Sequence, residues 1–132
     1  LMQAYRLEMG TSLKTKKGKN LYDFWGDQLT ESLQQELDGF KKPVLINLAS
    51  KEYFKALKAK NLNARIIDID FREYKGDALK FISFNAKKAR GLMSRYIVKE
   101  RATKPQILKG FDYDDYHYNE ELSTENKWLF TR

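Results

Sequence analysis

The spacing of apolar residues predicts three α-helices. The first begins after Asn20, a residue that commonly caps helices, and apolar residues then recur every fourth position at Leu21, Trp25, Leu29, Leu33 and Leu37. A second helix is predicted to follow Ser50. The third is predicted from about Ala86 to Arg101, where one side of a helix would carry Ala86, Ala89, Met93, Tyr96 and Ile97. We expect that side to pack on a core.

Alternating and continuous apolar runs predict the strands. The predicted strands are residues 4–9, 44–48, 65–74, 79–84, 116–118 and 128–130. Gly76 and Asp77 would turn the third strand into the fourth, and the last two strands would form a hairpin. Pro105 and Gly110 bound a further short helix. The predicted fold class is therefore α+β, a mixed β-sheet with packed helices, and residues 1–132 fit a single domain or subdomain.

Composition excludes several kinds of protein. The chain has no cysteine, which excludes disulfides, thiolate zinc sites, cysteine-ligated iron–sulfur clusters and a cysteine nucleophile. Hydrophobic residues make up 42% of it, too many for a disordered chain. The sequence shows neither a signal peptide nor a long apolar run, so we expect a cytoplasmic protein with no membrane partner.

The net charge of +7 points to an anionic partner. Positive charge is concentrated before residue 112, whereas residues 112–126 contain acidic side chains and no lysine or arginine. This acidic stretch either shields a basic surface or is a solvated loop, and a loop is the ordinary interpretation. The oxygen ligands at 112–117 are not spaced as in an EF-hand, so we assign no metal ligands there.

The most informative segment passes from a strand into the third helix, whose first turns carry several cations. Cations in the first turn oppose the helix dipole, so a bound anion would relieve an unfavourable arrangement. The predicted phosphate-binding residues are Lys87, Lys88, Arg90, Arg95 and Lys99. The partner expected first is double-stranded DNA, contacted through its backbone. The alternative is a solvated basic helix packed by its apolar side.

A second candidate site lies where the strand at 44–48 enters a helix. The predicted polar pocket consists of Arg6, Glu8, Asn47, Ser50, Glu52 and Tyr53. It would suit an enzyme acting on a nucleotide or another small phosphorylated ligand, with Glu8 or Glu52 as acid–base. The alternative is helix capping and core packing. We assign no catalytic residue and no cofactor, because there is one histidine and neither a complete P-loop nor a Gly-x-Ser-x-Gly motif.

Residues 103–106 lie between two predicted helices and would suit a hairpin that holds a DNA backbone, as in helix–hairpin–helix units. The usual glycine pair is missing, and a plain turn between helices is the alternative. Direct iron sequestration by the acidic stretch is a third hypothesis for function, ranked below DNA binding and the enzyme.

Several strings together resemble the YaaA family of bacterial peroxide-stress proteins. They are Tyr5-Arg6-Leu7-Glu8-Met9-Gly10, Phe24-Trp25-Gly26, Asn47-Leu48-Ala49-Ser50, Glu52-Tyr53-Phe54, Ala86-Lys87-Lys88-Ala89-Arg90-Gly91, Arg95, Thr103-Lys104-Pro105 and Gly110-Phe111. The likeness covers essentially the whole chain, and Asn85 stands where the family usually has an aromatic residue. We expect the chain to be the C-terminal half of a longer protein, without the family's Ser-Pro-Ala-Lys segment.

The resemblance implies a cytoplasmic protein, induced by hydrogen peroxide, that limits damage by lowering unincorporated intracellular iron. Family members also resemble DNA-binding proteins, with a positively charged cleft and a helix–hairpin–helix element. Carried over to this sequence, the cleft residues would be Lys87, Lys88, Arg90 and Arg95. Arg6, Asn47 and Ser50 would be their neighbours.

Overall fold

The computed structural model describes residues 16–18 and 21–132. They divide into two compact units. The first contains the described residues up to Pro43 together with Ala49–Ala64, and the second contains Val44–Leu48 and Arg65–Arg132. The strand predicted at residues 4–9 lies outside the described residues, and a single domain or subdomain remains a prediction.

The first unit is helical. Helix α1 spans Leu21–Leu37, helix α2 spans Lys51–Phe54, and a 3-10 turn spans Ala59–Asn61. The prediction of the first helix is confirmed, whereas the second helix is a single turn.

Helix α1 packs by the predicted side only at its end, where Leu37 is buried. Trp25 and Leu29 are 52% and 50% exposed, so the apolar positions at its start do not form a buried face. Gly26 and Thr30 are buried instead. A Cβ at Gly26 would lie 2.5 Å from the Ala56 carbonyl oxygen, so the following segment approaches the helix backbone there. Small residues, which permit this approach, therefore set the packing side.

The second unit contains a five-stranded mixed sheet. Its strands are β1 (Val44–Asn47), β2 (Arg65–Lys75), β3 (Ala78–Lys80), β4 (His117–Tyr118) and β5 (Lys127–Thr131). The order is β1-β2-β5-β4, and β3 pairs with β2. β2 is parallel to β1 and β5, whereas β3 is antiparallel to β2 and β4 is antiparallel to β5. The predicted α+β class and both predicted hairpins are confirmed.

Helix α3 spans Ser83–Lys99 and packs on this sheet. The strand predicted at 79–84 ends earlier, at Lys80, and α3 begins at Ser83. The prediction includes residues 81–84 in the strand because their pattern fits either a strand or a first helical turn. Ala86 N–H bonds to the Ile82 carbonyl (2.9 Å), so helical bonding already begins there. The short helix near Pro105 is a 3-10 helix, Pro105–Gly110, and a second 3-10 turn spans Tyr113–Asp115.

The core of the second unit lies between α3 and the sheet. β2 contributes the alternating residues Ile67, Ile69 and Phe71, all buried. Phe71 makes edge-on contacts with Phe111 (5.7 Å between ring centroids) and with Tyr116 (5.2 Å). Tyr96 of α3 also contacts Phe111 edge-on (5.5 Å between ring centroids), and this contact holds one side of α3 against the core. In the described part of the chain, no helix is both long and apolar enough to cross a membrane.

Candidate functional site

Core packing decides which side of α3 faces solvent. The buried residues are Ala86, Ala89, Met93 and Tyr96, and Ile97 packs beside them, which confirms the predicted apolar side. Four of the predicted phosphate-binding residues are consequently exposed along the opposite side: Lys87, Lys88, Arg95 and Lys99. We call these four the basic face. Arg90, the fifth, is half-buried at its edge.

Some cations of α3 contact a carboxylate or an aromatic ring of another element, and others do not. Lys88 Nζ lies 3.7 Å from Asp114 Oδ2, and Lys99 Nζ lies 6.0 Å from the centroid of the Tyr113 ring. Among the described residues, Lys87, Arg90 and Arg95 form no ion pair. Their positive charge is therefore not neutralised within the described part of the molecule.

The first turn of α3 carries no anion of its own. It contains no acidic residue, and the N-cap of the helix, Ile82, offers no side-chain hydrogen bond. The helix dipole and the cations of the first turns both contribute positive potential at this end. Two carboxylates from other elements offset part of it: Glu73, which accepts a hydrogen bond from Asn85 Nδ2, and Asp114, whose Oδ2 lies 3.7 Å from Lys88 Nζ.

A cluster of charged and polar side chains lies beside α3. The carboxylate of Glu73 accepts hydrogen bonds from Asn85 Nδ2 (2.8 Å) and Arg132 Nε (2.7 Å). Arg132 Nη1 donates to the Asp114 carbonyl (3.1 Å) and lies 3.1 Å from Asp114 Oδ2. The guanidinium carbon lies 4.6 Å from the centroid of the Tyr116 ring. We call these five residues the Glu73 cluster.

Glu73 is the buried carboxylate of the cluster, and its hydrogen-bonding partners Asn85 and Arg132 are half-buried. The Glu73 side chain is 5% exposed. The hydrogen bond from Arg132, and then the one from Asn85, lowers the pKa of Glu73, although burial works in the opposite direction. The same bond raises the pKa of Arg132, and burial raises the pKa of Tyr116. Glu73 is therefore an ionised carboxylate held by fixed donors, which suits a structural role better than proton transfer.

Comparison with known proteins identifies the family. A family model described as peroxide stress protein YaaA matches residues 1–122. The chain belongs to the YaaA family of peroxide stress proteins. Among its relatives, each named UPF0246 protein, one from Colwellia psychrerythraea is 53% identical over 132 residues, covering 100% of this chain and 51% of the relative. One from Caulobacter vibrioides is 51% identical over 131 residues, covering 99% of this chain and 51% of the relative. The chain thus spans about half the length of the curated relatives it matches.

The second site predicted in this YaaA-family chain comprises residues of both units and residues outside those that the structure describes. Asn47 Nδ2 donates to Asp68 Oδ1 (2.7 Å) within the second unit. Ser50 and Tyr53 belong to the first unit, where Ser50 is the N-cap of α2 without a side-chain capping bond. Arg6, Glu8 and the side chain of Glu52 lie outside what the structure describes. The polar pocket, and the enzyme hypothesis that depends on it, stay predictions.

The Glu73 cluster of this YaaA-family chain is not among the sites predicted from its sequence, although one signal for it was available. Glu73 continues the inward-facing alternation of Ile67, Ile69 and Phe71 along β2. A carboxylate at an inward position requires a buried partner. Its partner Arg132 is distant in the sequence. The alternation along β2 therefore indicates that Glu73 has a partner but does not identify that partner as Arg132. In the described residues, no group of three or more His, Asp or Glu side chains is arranged to hold a metal ion.

Proposed function

We propose that this chain gives a cytoplasmic YaaA-family protein a surface that binds the backbone of double-stranded DNA. The observation that carries the proposal is the basic face of α3, whose exposed cations are held in one orientation by the buried opposite side. Phosphates would lie against Lys87, Lys88 and Arg95, with Arg90 and Lys99 at the edges. Contacts of this kind attract DNA of any sequence.

The proposed place of this surface in the peroxide response follows from family membership. Loosely held iron and peroxide together generate radicals that damage DNA. A YaaA-family protein that binds DNA would act where that damage occurs, and we propose that it helps limit it and helps lower unincorporated iron. DNA binding is the part of this proposal that the chain itself can test.

The test measures the affinity of the chain for a labelled duplex over a salt series. Neutralising a phosphate contact releases counterions, so affinity should fall steeply as salt rises. The double variant Lys87→Ala/Arg95→Ala should bind about tenfold more weakly at low salt and should lower the salt slope by about 2, roughly one per lost contact.

The matched control is Lys60→Ala/Lys127→Ala, which removes the same charge from two exposed positions elsewhere. It should leave the salt slope nearly unchanged. Equal effects of the two double variants would mean that net charge alone attracts DNA. Absence of salt-sensitive binding by the wild-type chain would show that the proposal is wrong.

A further inference from the structure

The solvent side of α3 carries a large aromatic residue as well as cations. Phe84, in the first turn, is 77% exposed. On a helix with 3.6 residues per turn, it lies on the same side as Lys87 and Lys88 one turn later and Arg95 about three turns later. Gly91 lies between these cations, and no atom lies within 4 Å of the position that a Cβ there would occupy. The aromatic ring is thus in line with the basic face and nothing bulky interrupts that line.

The first turn that carries Phe84 is held in place from beneath. Asn85 donates its side-chain hydrogen bond to the buried Glu73 carboxylate (2.8 Å), and Ala86 is 1% exposed in the core. The two residues that follow Phe84 therefore face inward, whereas Phe84 itself is exposed. Because the backbone that carries Phe84 is already ordered, the chain should lose little conformational freedom when the Phe84 ring binds a flat partner.

The surroundings of Phe84 favour a nucleobase over other apolar partners. A helix that enters a membrane surface needs a continuous apolar side, and the apolar side of α3 is already buried in the core. Cations lie within one helical turn, so a partner that combines a flat ring with negative charge is complementary. A nucleotide has both, with its base for the ring and its phosphate for Lys87 or Lys88.

We infer that Phe84 stacks an unpaired base of a DNA strand while Lys87 and Lys88 hold the adjoining phosphates. The inference rests on the proposed function and adds a substrate preference to it. DNA with single-stranded or unpaired segments is bound more tightly than a fully paired duplex, because only unpaired bases are free to stack on a side chain.

The test is a double-mutant cycle on the 132-residue chain with two probes. One probe is a short single-stranded oligonucleotide, and the other has the same phosphates but abasic sugars throughout. The wild-type chain should bind the intact strand about tenfold more tightly than the abasic strand, in keeping with the measured value of base–aromatic stacking. Phe84→Ala should remove that difference, leaving abasic binding and the salt slope unchanged.

Two further variants separate stacking from general hydrophobic contact. Phe84→Tyr keeps an aromatic ring and should retain the preference for the intact strand, whereas Phe84→Leu should lose most of it. Phe40→Ala is the matched control, because Phe40 is 68% exposed and adjoins Lys41 and Lys42 in the first unit. It should bind both probes as the wild type does.

Equal weakening of both probes by Phe84→Ala, or full retention by Phe84→Leu, would overturn the inference. So would Phe84-dependent binding to anionic lipid vesicles together with Phe84-independent binding to DNA. The duplex experiment distinguishes the two proposals. Salt-sensitive duplex binding without a Phe84 effect on the intact strand defeats only the stacking inference, whereas absence of binding to every DNA probe defeats both.

Discussion

The Glu73 cluster and the basic face are adjacent, and both contain cations. They differ in how far those cations are paired with carboxylates and exposed to solvent. Arg132 is 26% exposed, and carboxylates and an aromatic ring surround its guanidinium group. Lys88 is 60% exposed and has one carboxylate partner, Asp114 Oδ2 at 3.7 Å, and Lys87 and Arg95 have no ion pair among the described residues. The positive charge of the cluster is paired with carboxylates of the same chain, whereas the positive charge of the basic face remains accessible to an anionic partner.

The difference has an energetic consequence. A buried ion is costly once its partner is removed, because it cannot regain water. An exposed cation contributes little to folding, since water solvates it whether the chain is folded or not. Removing charge from the cluster should therefore impair stability, whereas removing charge from the basic face should impair only the binding of an anion.

The largest effect is expected from Glu73→Ala, which deprives the Arg132 guanidinium and the Asn85 amide of their common acceptor. We expect the melting temperature to fall by about 5 °C or more, measured by circular dichroism. Glu120→Ala removes an exposed carboxylate from the same unit and should change the melting temperature by less than about 2 °C. A shift for Glu73→Ala as small as that of the control would refute a structural role for the cluster.

The stability of the wild-type protein at acidic pH should also depend on the hydrogen bond between Glu73 and Arg132. The Arg132 hydrogen bond lowers the pKa of Glu73 in the folded state from its ordinary value of 4.5, so the unfolded chain takes up this proton first as pH falls. The contribution of Glu73 to stability is therefore complete above about pH 4.5 and is lost as pH falls through the lower, folded-state pKa. Glu73→Gln has no such proton to bind, so its stability should decline less steeply over that range.

Local periodicity explains which parts of the fold could be predicted from the sequence. The buried side of α3 can be predicted from the helical spacing of Ala89 and Met93. The hairpin at Gly76 can be predicted because glycine adopts the φ of 63° found there without strain. The packing side of α1 could not be predicted in this way. It depends on how closely the Ala56 backbone approaches Gly26, which is a tertiary contact.

The same distinction applies to the candidate site. The basic face is a property of one helix, so its residues could be named from their spacing. The Glu73 cluster joins β2, α3, a 3-10 turn and the last residue of the chain. Its alternation pattern predicts a buried carboxylate at Glu73, but only the folded chain brings Asp114 and Arg132 to it.

Arg101 is a cation outside both regions, at a position where the backbone favours glycine. Its φ is 48°, directly after the end of α3. Arg101 N–H bonds to the Val98 carbonyl and Ala102 N–H to the Ile97 carbonyl, the pattern of a Schellman C-cap. Arg101→Gly should raise stability by about 1 kcal/mol, roughly 4 °C in melting temperature. Arg101→Ala removes the same charge but keeps the strain, and should show no such gain in a urea titration.

The smallest effect is expected where the two regions meet, at Asp114. Its carboxylate lies 3.1 Å from Arg132 Nη1 and 3.7 Å from Lys88 Nζ, so it belongs to the cluster and also partly neutralises the basic face. Asp114→Asn keeps the backbone acceptor for Arg132, and asparagine tolerates the φ of 57° found there. Freed from this carboxylate, Lys88 should bind phosphate better, and duplex affinity at low salt should rise about two- to fourfold.

Asp115→Asn is the matched control for this last variant, because Asp115 is exposed, has a φ of 64° and forms no ion pair among the described residues. It removes one negative charge from the same turn without releasing Lys88, so it should raise affinity less. The gain from Asp114→Asn should also disappear when Lys88→Ala is added. A gain that survives in the double variant would mean that Asp114 acts on DNA binding through the general field of the acidic stretch and not through its contact with Lys88.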